Sequence, residues 1–278
     1  MIERLHQGPG VEAQAEVQVG VEGPPPSRWT LRTIRATFPW MVDYTLRGVW
    51  RALDRYGLST RSARVQQYSP DPEYADKVDY LAYCMQETAA HPDRMVLLFM
   101  DEMGFYRWPQ PTVDWGPDTE TPVASRGGEN NQQWRLIGVL NALTGQVDYL
   151  DAYIVGRHKV IAMYEQINLI YSGAECIFVV QDNWSIHRHP DVWDALNQRP
   201  HIEPVWLPTY APWLNPIEKL WRWLRQDVLK MHRLVDDWDA LRQRVRNFLD
   251  QFWPESNELL RYVGLLGEGK LAQMLCLP

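Results

Sequence analysis

Cys84, Cys176 and Cys276 are the only cysteines in 278 residues, and they are too few, too scattered and odd in number for a disulfide framework or a cysteine zinc site. Long apolar runs are missing as well: none approaches the roughly 20 residues that span a bilayer. Residues 1–23 lack the basic start and apolar centre of a signal peptide. These absences exclude a disulfide-stapled secreted fold and a helical membrane protein, and they point to a soluble chain in a reducing cytoplasm. A basic excess is also absent. Lys and Arg number 28 against 35 Asp and Glu, a net charge of −7, which taken over the whole chain argues against a nucleic-acid partner, since cations dominate phosphate binding.

The distribution of charge reverses that inference. Ser27–Pro70 holds eight Arg and two Asp, a local balance of +6, whereas residues 71–278 carry −10. A short basic segment joined to a larger acidic one suggests a DNA-contacting module on a body with its own work. With 45% hydrophobic residues and 14 Trp, the body has the means to bury a sizeable core.

Residues 1–26, ending in Pro24–Pro26, read as an extended or disordered tail. Two short helices are expected in a DNA-binding segment over 27–70: Thr30–Thr37, and Tyr44–Tyr56 stopped by Gly57. In the second, Leu46, Val49, Trp50 and Leu53 form an apolar stripe, and Arg47, Arg51 and Arg55 recur at every fourth position on another face. This resembles the recognition half of a helix-turn-helix. A linker helix is expected over 71–93, a catalytic body over 94–255 and a C-terminal tail over 256–278.

Within the body, Met95–Met100 and Cys176–Gln181 are apolar runs too short for helices and read as buried strands. Trp134–Leu140 and Gln146–Ile154 flank a Gly-containing connection suited to a hairpin. Helices are expected near Lys159–Tyr171, Asp191–Gln198 and Val235–Phe252, with a strand near Ile202–Leu207. Asp101 and Asp182 follow the two apolar runs, at strand ends where open α/β sheets bind ligands. Glu218 follows Asn215-Pro216, a helix start with Asn as N-cap and Pro at the first helical position. A capping-box role would suit Glu218 as well. Ile217, Leu220, Trp221, Leu224 and Val228 are expected to pack inward, with Arg222 and Arg225 on the face of Glu218. Oxygen-rich carboxylate clusters suit Mg²⁺ or Mn²⁺, and two ions about 3.5 to 4 Å apart can drive phosphodiester displacement.

The order of elements matches the ribonuclease H-like fold: an α/β domain with a mixed five-stranded sheet and flanking helices, here preceded by a small helical helix-turn-helix domain. In that fold the first and fourth strands are parallel neighbours, so Asp101 and Asp182 would emerge side by side. Asp182–His187 and Leu207–Arg222 resemble the second and third catalytic blocks of DDE transposases of the mariner superfamily, in its bacterial insertion-sequence branch, the insertion-sequence six-thirty group. Met100–Phe105 resembles the first block. Family members commonly carry two helix-turn-helix units, and one is visible here.

The resemblance implies that Asp101, Asp182 and Glu218 are the catalytic, metal-binding acids, served by two Mg²⁺ or Mn²⁺ ions. Asn183 and His187 would support them or touch DNA, and Arg222 and Arg225 would steer phosphates. The implied partners are double-stranded DNA with terminal inverted repeats and a TA target, and a homodimer or higher assembly on that DNA. Two other functions are kept open: a catalytically silent DNA-binding protein derived from a transposase, and a ribonuclease H-like nuclease without strand transfer.

Overall fold

The computed structural model describes residue 5 and residues 28–61, 68–117 and 119–274. The expected tail over 1–26 therefore lies outside the described residues, apart from Leu5. The chain divides into two compact units, Met1–Gln66 and Gln67–Pro278.

In the first unit, α1 (Leu31–Thr37) begins at a reciprocal capping box between Thr30 and Thr33. A 3-10 turn, Pro39–Met41, leads toward α2 (Leu46–Arg55), which is capped by Thr45. Gly57, at φ +69°, supplies the left-handed residue that ends it. Ile34, Phe38, Met41, Val49, Ala52 and Leu53 form the core of this unit. The expected stripe is corrected at one position. Trp50 is 53% exposed, because it stands a 100° step round the helix from Val49, whereas Ala52 at three residues' spacing faces inward. Arg47, Arg51 and Arg55 are all exposed, as an unpaired basic face requires.

The second unit opens with α3 (Tyr74–Ala90). There follow β1 (Met95–Tyr106), β2 (Gln133–Asn141), β3 (Val147–Ala152), α4 (Arg157–Ile170), β4 (Cys176–Gln181), α5 (Pro190–Asn197) and β5 (Ile202–Trp206). After them come α6 (Ile217–Leu224), a π-helical turn Arg225–Leu229, and α7 (Trp238–Asp250). The sheet order is β3-β2-β1-β4-β5. Its β1-β2 and β2-β3 pairs are antiparallel, and its β1-β4 and β4-β5 pairs are parallel, the mixed five-stranded arrangement expected.

Alternation along β1 divides the core. Leu97, Phe99, Met103 and Phe105 face one layer with Leu81 of α3, Trp221 of α6 and Leu241 of α7. Leu98 and Met100 face the other, with Tyr164 of α4 and Val192 of α5. The expected C-terminal tail is corrected: α8 (Asn257–Val263) and α9 (Lys270–Met274) place Leu259, Leu260, Val263 and Leu271 in the first layer. Apolar side chains at helical spacing need a surface to bury against, and the outer face of that layer provides one. Helix α3, expected as a linker, belongs to the same core.

Gly138 of β2 stands opposite Asp101 of β1, and a Cβ there would come within 2.8 Å of Cη2 of the Trp221 ring. Only glycine leaves room for the indole to lie against the sheet. Gly138→Ala is expected to lower stability by about 1–3 kcal/mol, as overpacking in a tight core does, measured as a reduced urea midpoint with an unchanged slope.

Candidate active site

Parallel pairing of β1 with β4 runs from Met95↔Cys176 to Phe99↔Val180. Two residues beyond Phe99 is Asp101, and two beyond Val180 is Asp182, so the register that pairs the strands also aligns the two carboxylates. Strand β4 stops at Gln181, whereas β1 continues to Tyr106 against β2. Asp101, expected at a strand end, thus lies inside β1, where its parallel neighbour stops.

Glu218 is in the first turn of α6. The expected cap is corrected: Pro216 holds the N-cap position and makes no side-chain cap bond. Asn215 is buried, and its Nδ2 donates to the Met100 carbonyl at 3.0 Å. That hydrogen bond ties the start of α6 to β1 beside Asp101. With no capping box to complete, Glu218 instead lines a cavity of about 540 Å³ together with Asp101 and Asp182.

The carboxylates stand in different environments. Asp101 Oδ2 accepts a hydrogen bond from Trp221 Nε1 at 3.0 Å. Burial pushes its carboxyl well above the usual range, and the charges of Glu218, Glu102 and Asp182 push it further. Burial also raises Glu218, opposed by the guanidinium groups of Arg225 and Arg222. The Asp182 side chain is 57% exposed, and its Oδ1 accepts from the Trp184 N–H at 2.9 Å.

Behind this pair, His187 is 1% exposed. Its Nε2 is 3.3 Å from Glu102 Oε1 and 3.6 Å from Asp182 Oδ1. His187, expected to support the acids or to touch DNA, is thus enclosed beside Asp182 and Glu102. Glu102, on the opposite side of β1 from Asp101, lines a second cavity of about 290 Å³ with Asp101, Asp182, Trp184 and Arg135. The two aspartates thus border both cavities. Asn183 does not turn toward Asp182: its Nδ2 donates to the Leu207 carbonyl at 2.8 Å, and its Oδ1 accepts from Arg188. It ties the end of β4 to the loop after β5.

That loop is held from another direction. Thr209 N–H donates to Asp71 Oδ2 at 2.7 Å, and the Thr209 carbonyl accepts from Ser69 Oγ. Lys77 of α3 pairs with Asp71 at 2.9 Å. Sequence patterns carried no sign of this clamp, nor of the His187–Glu102 pair. The Trp221 hydrogen bond had a partial signal, an inward-facing indole one turn from Glu218.

The donor set suits a hard divalent cation: three carboxylates line one cavity, and the charges that act on the half-buried Asp101 are of one sign. Among the described residues, no three His, Cys, Asp or Glu side chains converge tightly enough to share an ion.

Residues 96–242, more than half of the chain, match the family described as DDE superfamily endonuclease. The chain belongs to that family. An insertion element IS630 uncharacterized 39 kDa protein of Shigella sonnei is 24% identical to this DDE chain over 231 residues, covering 82% of it and 66% of the relative. The chain thus spans just under two thirds of that relative's length.

Among solved structures, the Mos1 mariner paired-end complex with Mn matches at a TM-score of 0.56 and 13% identity, over 94% of this chain and 80% of that one. The Mos1 strand transfer complex matches at 0.51 and 14%, over 91% and 79%. At such identities the likeness is one of fold, and it agrees with the ribonuclease H-like sheet.

Hydrogen bonds from Lys77, Thr209 and Glu73 hold the Asp71 carboxyl below the usual range. A lowered folded pKa contributes stability that is present above the unfolded value of about 3.9 and lost as pH falls through the folded one. Asp71→Asn is therefore expected to melt at a lower temperature than the parent at pH 7, with a gap that narrows on acidification below about pH 4. Thermal melts across that range check it.

Proposed function

We propose that this chain is a metal-dependent DNA transposase that hydrolyses phosphodiester bonds at the ends of a mobile element and joins the freed 3′-hydroxyls to target DNA. The observation that carries this reading is the alignment of Asp101 with Asp182 by the β1-β4 register, with Glu218 lining the same cavity. The family match, the insertion-element relative, and the likeness to Mos1 complexes with a transposon end and in strand transfer all support it.

Asp101, Asp182 and Glu218 would hold Mg²⁺ or Mn²⁺, which when bound supply charge stabilisation to the attacking and leaving oxygens. The chain's own groups do the rest. Trp221 fixes the Asp101 carboxylate, and His187 with Glu102 backs Asp182. Arg222 and Arg225 draw a phosphate toward Glu218.

In the first step a water oxygen bonds to the scissile phosphorus, and the 3′ oxygen of the element leaves with a proton. In the second, that 3′-hydroxyl oxygen bonds to a target phosphorus and displaces the target's own 3′ oxygen. The exposed Arg47, Arg51 and Arg55 of α2 are assigned to double-stranded DNA. Terminal inverted repeats, a TA target, and a homodimer or higher assembly on DNA complete the proposal.

With Mg²⁺ or Mn²⁺ and labelled DNA carrying the flanking terminal repeats, the expected result is end cleavage followed by joining, with both abolished by Asp182→Asn. Cleavage without joining would favour a nuclease, and binding without cleavage by the unsubstituted chain would identify a silent DNA-binding derivative. Mn²⁺ at about a hundred times its dissociation constant is expected to stabilise the parent by about 2.7 kcal/mol. Asp101→Asn should lose most of that gain, with calorimetry as the readout. Arg51→Ala is expected to weaken DNA binding and to reduce the slope of affinity against salt by about 1, measured by salt titration of binding.

A further inference from the structure

Tyr210 stands on the wall of the larger cavity, which Asp101, Asp182 and Glu218 also line. Its φ is +55°, and among the described residues only Met231 shares a positive φ without being glycine. A bulky L-residue in that region is disfavoured and persists only where its surroundings impose it. For Met231 the surroundings are visible: its N–H donates to the Gln110 carbonyl at 3.1 Å, beside a bridge between Gln110 and Lys230.

For Tyr210 the constraint lies on either side of it. Thr209 is fixed at both backbone groups by Asp71 and Ser69. Ala211 is buried, and its N–H donates to the Pro208 carbonyl at 3.2 Å. The fold thus fixes the backbone on both sides of Tyr210. The residue is 77% exposed, and among the described residues its ring stacks on no other aromatic and its hydroxyl has no hydrogen-bond partner.

Resting on the reading that this cavity receives a DNA strand, we propose that Tyr210 is a substrate-positioning residue whose ring stacks on an unpaired nucleobase next to the scissile phosphate. An exposed aromatic face beside an acid-lined cavity is suited to a base of any identity, because every base presents a π-face. The clamp on Thr209 then has a purpose: it holds the ring at a constant distance from Asp101 and Asp182 while the strand enters.

Two properties of Tyr210 can be separated by substitution. Tyr210→Gly relieves the backbone and removes the ring, so it is expected to leave the melting temperature unchanged or raise it. Cleavage of end DNA should nonetheless fall by about ten- to a hundredfold, as loss of one base-aromatic stack implies. Tyr210→Phe and Tyr210→Trp should restore it.

In chains that also carry Asp182→Asn, DNA labelled with 2-aminopurine on either side of the scissile bond should show fluorescence quenching with Tyr, Phe or Trp at this position and none with Gly or Ala. Quenching or cleavage that stays within about twofold of the parent in Tyr210→Gly overturns the proposal. So does a lowered melting temperature in that variant, which would make the residue structural. Failure of the underlying reading shows separately, as the absence of metal-dependent cleavage by the unsubstituted chain, and it overturns the proposal with it.

Discussion

Aligning β1 with β4 brings Asp101 and Asp182 together at the end of their shared register, where two carboxylates repel and burial penalises the charge of Asp101. The neighbouring structure is arranged around that repulsion. Trp221 donates to Asp101 from the α6 side of the sheet. His187 stands between Asp182 and Glu102 on the other. Gly138 contributes by what it lacks, since the indole occupies the space a side chain would take. Two arginines beyond Glu218 offset the charge of the third acid.

The loop from Leu207 to Asn215 is braced as well. Asn183 reaches it from the end of β4, Ser69 and Asp71 reach it from before α3, and Asn215 fastens its far end to Met100. The cavity wall is therefore held by four side chains from three separate stretches of chain.

Much of this was legible before any coordinates. Met95–Met100 and Cys176–Gln181 announced themselves as buried strands because the sheet is covered on both faces, which leaves unbroken apolar runs. Glu218 was recognisable through its neighbours rather than by itself. Errors arose where a local rule met a tertiary demand. Asn215 has the identity of an N-cap, but burial turned its amide to Met100. Trp50 is apolar yet faces outward in α2, and the stretch after residue 256, taken for a tail, closes the core.

The sequence by itself pointed to the three acids that line one cavity, the spans of most helices and strands, and the separation of a basic helical segment from an acidic body. These follow from periodicity, turn chemistry and motif, all of which act over a few residues. Only the tertiary structure decided which side chains meet: Trp221 with Asp101, His187 with Glu102, and Asp71 with Thr209 across 138 positions. Contacts at such separations come from strand register and layer packing, and they leave no local pattern to read.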